Sequence, residues 1–308
     1  MKHRVPRLGC SSHIPLRRRI VIPLDGARVV GALARTFSRR FIERGARPAC
    51  VFLRYGVLRL WVRVRNRLGG VPRVECPCCG WRGQDFYPLD VITFLVPRVF
   101  CPHCNCQERH RLFRLYVERG EPELLRREGR GLHFAPVSHE RDFLASRGTL
   151  RWVAADVSPH TLLQARNPRF QADIQRMPIT DDAFSCVLCF HVLEHVPDDW
   201  AATRELARVL EPGGTAYIMV PFMVGSPETE EWGRPDPALF GHRRAYSMAD
   251  FEERLAPFEH EAIVPTDFLS EEQAYRYGIP TDSQVIYRCA KKIDPPEPAC
   301  AERCAPGS

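Results

Sequence analysis

Two cysteine pairs carry the plainest chemistry in this sequence. Cys76-Pro-Cys-Cys79-Gly and Cys101-Pro-His-Cys104-Asn each have the C-x-x-C spacing of a zinc knuckle, and residues 80–100 separate them. Four thiolates so placed close a tetrahedral site with no position left for water or substrate, so Cys76, Cys79, Cys101 and Cys104 are expected to hold a structural Zn2+. The residues that follow the pairs, Gly80 and Asn105, are the types that most readily take the left-handed backbone a tight knuckle needs. Cys78 and Cys106 are further thiols, and a choice of Cys76 with Cys78, or Cys104 with Cys106, is compatible with the spacing. His103 and His110 read as neighbours of the site.

Downstream, acids and histidines fall where apolar strands end. In an open parallel sheet ligands bind beyond the carboxyl ends of the strands, near the point where strand order reverses. The first such strand runs into His133-Phe134-Ala135-Pro136, a turn without the glycine fingerprint of nucleotide-binding sheets. The second, Arg151 to Asp156 with Val157 next to it, ends in a carboxylate about 20 residues on, the placement that grips the two hydroxyls of a ribose. A helix cap is the other reading of Asp156, with Ser158 as a competitor. His191, His195 and His242 are the candidate bases. For His195 a structural role at a helix start stands beside the catalytic one.

The elements that must position these groups follow from periodicity. Apolar strands and helices alternate from Gly131 to Phe190: strand to Ala135, helix Glu140–Ser146, strand Arg151–Asp156, helix Pro159–Ala165, strand Ala183–Phe190. Helix Trp200–Leu210, strand Thr215–Val220, helix Ser247–Leu255 and the apolar runs Ala262–Val264 and Gln284–Cys289 complete the pattern. This predicts an α/β fold with a doubly wound, mostly parallel seven-stranded sheet, preceded by a small zinc-ribbon-like module. In that module a strand-like stretch, Val91–Phe100, lies between the cysteine pairs, and a helix, Gln107–Arg119, follows them. The domain reading is a basic arm over 1–70, with a short helix over Val29–Glu43, a knuckle module and connecting helix over 71–128, the catalytic domain over 129–293, and a Pro-rich tail over 294–308 expected to be disordered.

The net charge of +7 hides an asymmetry, because residues 1–75 hold 18 of the 44 basic residues and only 3 of the 37 acidic ones. Only three lysines occur, so the arginine excess is discounted as a nucleic-acid signal. Thirteen cysteines, six of them between Cys76 and Cys106, and no secretory pattern at the start point to a reducing, cytoplasmic location. Residues 49–68 are apolar but carry five arginines, which excludes a membrane span. They fit a basic amphipathic helix lying on an anionic membrane surface or on nucleic acid, or one packed on the main domain with its arginines solvated.

The stretch from Gln171-Ala-Asp173-Ile174 through Phe184 to His191-Val-Leu-Glu-His195, with Arg204 to Pro212-Gly213-Gly214, resembles the class I S-adenosylmethionine-dependent methyltransferases of the type 11 group. It is similar in particular to a subgroup with a CPxCG knuckle and an ERHR helix, here Glu108-Arg-His-Arg111, ahead of the catalytic domain. The resemblance spans about Cys76 to Cys289 and implies S-adenosylmethionine as cofactor. It implies Asp156 on the ribose, Asp173 on the adenine amino group with Ile174 beside the ring, and Phe190 and His191 along the methionine portion. In that subgroup too the first turn is glycine-poor, which aligns His133-Phe134-Ala135-Pro136. His242-x-Arg244-x-Tyr246, with Glu228 and Glu231, is placed on the acceptor side. The implied reaction is transfer of a methyl group to oxygen or nitrogen of a small molecule or glycan precursor. An RNA methyltransferase using the knuckles and basic arm, and an inactive zinc-dependent interaction protein, are the alternatives; against RNA, no Asn-Pro-Pro-aromatic motif occurs, and Val220-Pro-Phe222 stands in its place.

Overall fold

The structure is a computed structural model and describes residues 46–92, 94–163 and 168–292. The arm over 1–45, with the helix expected at Val29–Glu43, and the tail from 294 lie outside the described residues.

The first helix, α1 (Ala46–Leu68), is followed by two hairpins, β1 (Val74–Glu75) with β2 (Arg82–Gly83) and β3 (Tyr87–Asp90) with β4 (Leu95–Phe100), and by α2 (Glu108–Arg119). Next come β5 (Arg130–Phe134), α3 (Ser138–Arg147), β6 (Arg151–Asp156), α4 (Pro159–Leu163), β7 (Arg169–Gln171), β8 (Phe184–Phe190), α5 (Asp199–Val209) and β9 (Leu210–Met219). A hairpin of β10 (Glu230–Asp236) and β11 (His242–Ala245) precedes β12 (Phe258–Ile263), α6 (Glu271–Tyr277) and β13 (Ile286–Lys291).

Seven strands form one sheet in the order β12-β13-β9-β8-β5-β6-β7. Strands β9, β8, β5, β6 and β7 pair in parallel, and β13 alone runs against its neighbours. Strand order reverses between β5 and β8, so the crevice for a ligand opens above Phe134 and Phe190. The seven residues of β8 are all buried, as a central strand covered on both faces must be.

Each face of the sheet carries a layer. On one, Ala202, Leu206 and Val209 of α5 and Phe251 and Leu255 pack against Leu132, Val187 and Ile218. On the other, Leu112, Phe113 and Tyr116 of α2 and Phe143 and Leu144 of α3 pack against Leu188, Tyr217 and Met219. Helix α2, which follows the knuckles, therefore belongs to the sheet by packing: the Phe113 ring stands edge-on to Phe190 at 4.8 Å. Arg111 in the same helix is 0% exposed, and its guanidinium donates to the backbone carbonyls of Tyr277, Val99, Cys106, Arg98 and Gly278 and to the Cys106 sulfur. It joins the β4 hairpin, the second knuckle and the loop after α6 without a carboxylate partner, using the full fork of donors that lysine lacks.

Where the sequence predicts a helix over Ser247–Leu255, the chain makes only a 3-10 turn at Phe251–Leu255. Asp250 accepts the amide and hydroxyl of Thr229 at 2.7 and 2.5 Å, and the Ser247 hydroxyl donates to the Ser226 carbonyl, so side-chain bonds hold the first half out of the helix. The strand-like stretch over 91–100 is shortened to β4 by a left-handed residue at Ile92. Helix α1 is docked through Asn66, which receives the amides of Gln84 and Asp85 and donates to the Asp85 carbonyl. Its Leu53, Val57, Leu60 and Trp61 are exposed. Among the described residues no helix is long and apolar enough to cross a membrane.

Candidate functional site

At the switch point the β5 turn has Ala135 at φ 45°, a left-handed position usually filled by glycine, and its amide bonds to the Ala155 carbonyl of β6 at 2.9 Å. The small side chain thus meets the requirement that a glycine would otherwise meet. Asp156 ends β6 buried, and one of its carboxylate oxygens accepts the Ser158 amide at 2.7 Å. A carboxylate has about four lone-pair sites, so this turn-capping bond leaves capacity for hydroxyls. Val157 beside it is 67% exposed. Asp173, also exposed, accepts the amide and side-chain nitrogen of Gln175, while Ile174 is packed into the core. Ala135, Asp156, Val157 and Asp173 therefore line the carboxyl ends of adjacent strands, as a nucleoside needs.

His133, Phe134 and Pro136 of the same turn are buried. The His133 ring lies under the turn with Nε2 at 3.5 Å from Glu140, and His110 of α2 faces the other oxygen of Glu140 at 3.6 Å. The Gln107 amide donates to His110 Nδ1 at 3.1 Å, so the His110 proton sits on Nε2, towards Glu140. Burial pulls His110 down to about 3. Burial alone would raise Glu140, but the surrounding imidazoles outweigh it and hold the carboxyl near 2. His133 is thus a buried support beneath the β5 turn.

The end of β8 carries the second half of the site. His191 is left-handed at φ 54°, its amide fixed to the Met219 carbonyl at 2.8 Å, and a 3-10 turn, Leu193–His195, follows. The turn brings Glu194 back to His191, whose Nδ1 lies 3.4 Å from its carboxylate. His195 Nε2 is 3.9 Å from the same carboxylate, and the His195 and His242 rings meet edge to face at 4.8 Å. Glu194 is 0% exposed, and neither of its oxygens has a hydrogen-bond partner among the described residues. Burial would push its carboxyl up, but the imidazoles of His191, His195 and His242 bring it below the ordinary value. Burial lowers His191 and His242, keeping both neutral. All three predicted histidines converge, and the carboxylate between them went unnoticed in the sequence although its i, i+3 spacing from His191 marks it.

The remaining acceptor-side residues divide. His242 and Arg244 of β11 and Tyr246 just after it alternate and so share one face, which lies against residues 193–199. Arg244 is 4% exposed and donates to the carbonyls of Leu193, Val196 and Pro197 and to both oxygens of Glu231; the Tyr246 hydroxyl, fully buried, donates to Asp199. These two contact the chain's own groups, and that corrects the expectation that they touch an acceptor: they hold the Leu193–His195 turn in place. Glu231 is likewise engaged with Arg244 and Arg254, whereas Glu228 is exposed. A cavity of about 700 Å3 lined by Arg130, Arg151 and Trp152 lies at the opposite, amino-terminal ends of β5 and β6, away from these groups.

Residues 137–218 match the family model described as a methyltransferase domain. The matched stretch is similar to methyltransferase domains and ends within β9. It contains Asp156, Asp173, His191, Glu194 and His195, and leaves the knuckles and His242 outside the matched span. Demethylmenaquinone methyltransferase of Mycolicibacterium paratuberculosis is 36% identical over 91 residues, 29% of this chain and 35% of that protein. Ubiquinone biosynthesis O-methyltransferase of Xanthomonas campestris pv. campestris is 33% identical over 76 residues, 21% of this chain and 32% of its own. The chain thus spans about a third of the length of these relatives. Among solved structures, the YcgJ protein from Bacillus subtilis aligns with a TM-score of 0.42 and 14% identity, over 60% of this chain and 100% of that one.

The cysteines of the hairpin region also converge. Left-handed Gly80 (φ 72°) and Asn105 (φ 63°) close the two knuckles, with their amides on the carbonyls of Cys76 and Cys101. The Sγ atoms of Cys76 and Cys104, and of Cys79 and Cys101, are each 3.8 Å apart. Two thiolates about 2.3 Å from one tetrahedral zinc stand roughly 3.8 Å apart. Cys106 Sγ lies closer to Cys76, at 3.3 Å, and Cys76, Cys101, Cys104 and Cys106 also have their sulfurs within 4.8 Å of one another. Cys106 is thus a competitor for the fourth place expected of Cys79.

Proposed function

We propose that this protein is an S-adenosylmethionine-dependent methyltransferase that methylates an oxygen or nitrogen of a small molecule. The observation that carries the reading is the placement of Asp156 at the end of β6, one strand from the Ala135 turn, within a matched methyltransferase domain. Asp156 takes the ribose hydroxyls, Asp173 the adenine amino group, and the left-handed turns at Ala135 and His191 let backbone approach the remainder. The cofactor, when bound, supplies an activated methyl group on a sulfonium. Transfer forms a bond from the acceptor atom to carbon and breaks the carbon–sulfur bond, whose electrons stay on sulfur; the acceptor's proton leaves. Because the sulfonium is a good leaving group, alignment is the main demand on the protein. His242, kept neutral by burial, and His195 stand at the mouth of the crevice to receive that proton.

The pairs Cys76, Cys79 and Cys101 with Cys104 hold a structural zinc in this reading, with Cys106 able to replace Cys79. Four thiolates leave no open position, so the metal braces α2 and the turn below the cofactor. The name of the ubiquinone biosynthesis O-methyltransferase relative favours a hydroxylated small-molecule acceptor over RNA or a glycan. Calorimetric titration of folded, zinc-loaded protein with S-adenosylhomocysteine tests the reading. One site of micromolar affinity is expected, and no heat of binding would overturn it.

A further inference from the structure

The carboxylate between the three histidines has no role in the reaction as described. Glu194 is 0% exposed, its two oxygens are without hydrogen bonds among the described residues, and no arginine or lysine pairs with it. Burying a carboxylate in that state is costly, and the usual remedies are an ion pair, hydrogen bonds or a metal. The groups that face it are imidazoles: His191 at 3.4 Å and His195 at 3.9 Å, with His242 from β11. One donor atom each from Glu194, His195 and His242 falls within 4.8 Å of the others. Ligands about 2.1 Å from one ion stand roughly 3 to 3.5 Å apart, so small rotations of the partly exposed His195 and His242 side chains complete the contact.

From this cluster we infer that Glu194, His195 and His242 form a second metal site, distinct from the knuckles, that binds a divalent first-row transition ion. Two imidazoles and one carboxylate are a donor set for Zn2+, Fe2+ or Co2+ that leaves coordination positions open. Those positions face out of the crevice, because His195 is exposed and Glu194 closes the inner side. The Leu193–His195 turn and the start of β11 are held in register from outside the cluster: Arg243 donates to the His195 carbonyl at 3.2 Å and Arg244 to those of Leu193, Val196 and Pro197. Arg244 and Arg243 are positioning residues for a site built from two separate segments. That the open positions take a hydroxyl oxygen of the acceptor and lower its pKa, so that its proton leaves to solvent and not to the metal-bound His195 or His242, rests on the methyltransferase reading; the metal site itself does not.

The test is titration with Co2+ of protein brought to a single zinc per chain by dialysis against a weak chelator, followed by visible absorption, which separates nitrogen and oxygen ligation from thiolate ligation. Wild type takes up one Co2+ per chain without thiolate bands. Glu194→Gln, an isosteric change, and His242→Ala, at a half-buried edge, each weaken this uptake at least tenfold while their thermal melts stay cooperative. No uptake by wild type, or equal affinity in both folded variants, overturns the site. S-adenosylhomocysteine titrated in parallel keeps the two readings apart. If it binds without any Co2+ uptake, the metal site falls and the methyltransferase reading stands; Co2+ uptake without it does the reverse.

Discussion

Beneath the β5 turn, His110, Glu140 and His133 are buried together, and titration of the first two links this edge of the sheet to folding. His110 is depressed from 6.5 to about 3 and Glu140 from 4.5 to about 2, so the folded protein binds fewer protons than the unfolded chain below pH 6.5. Their contribution is present in full above 6.5 and is lost as pH falls, first through His110 between 6.5 and 3, then through Glu140 between 4.5 and 2. One proton of difference amounts to about 1.4 kcal/mol per pH unit. Urea unfolding followed from pH 7 to 4.5 is therefore expected to show stability falling with acid, with a slope shallower by about that amount in His110→Asn, whose amide oxygen still accepts the Gln107 amide. Equal slopes would remove His110 from the account. None of this was legible in the sequence, where His110 reads as a neighbour of the cysteines: only the fold brings α2, α3 and β5 to one point.

The knuckle hairpins and the sheet meet through α2 and the first turn of α3. His139 Nε2 lies 2.9 Å from the Cys104 carbonyl, its ring stacks on His110 at 5.2 Å, and Arg111 bonds to the Cys106 carbonyl. Structural zinc contributes on the order of 10 kcal/mol in isolated fingers. Chelation is accordingly expected to lower the melting temperature of the whole protein and to weaken S-adenosylhomocysteine binding at least several-fold, measured by calorimetry before and after metal removal and restored on adding Zn2+. An unchanged melt would contradict the coupling. At this scale the sequence was informative where short-range rules suffice. The knuckle turns show in Gly80 and Asn105, and β6 runs over Arg151–Asp156 as its continuous apolar run indicates. It was silent on β7, only three residues long, and on the β10–β11 hairpin, whose Glu-Glu-Trp-Gly-Arg-Pro-Asp strand is mostly exposed and lacks alternation. It over-extended the helix at Ser247 because the bonds from Thr229 and to Ser226 come from another segment.

For the molecule as a whole, strand order decides where chemistry can occur. The parallel core places Ala135, Asp156, Asp173 and His191 at the carboxyl edge of four strands, and β11 adds His242 from outside the matched domain. The sheet and its class were legible from the alternation of elements, and so were the acids at strand ends. The convergence on Glu194 was not, since it needs a 3-10 turn and a distant hairpin. The exposed apolar and arginine side chains of α1 remain the candidate surface for the anionic membrane contact that residues 49–68 suggested. The measurement to make is the affinity of Asp156→Ala for S-adenosylhomocysteine beside wild type, with zinc content determined on both. Affinity lowered at least tenfold at unchanged zinc content places the cofactor at the β5–β6 edge; equal affinity in the variant would show that Asp156 does not hold it and that the proposed binding mode is wrong.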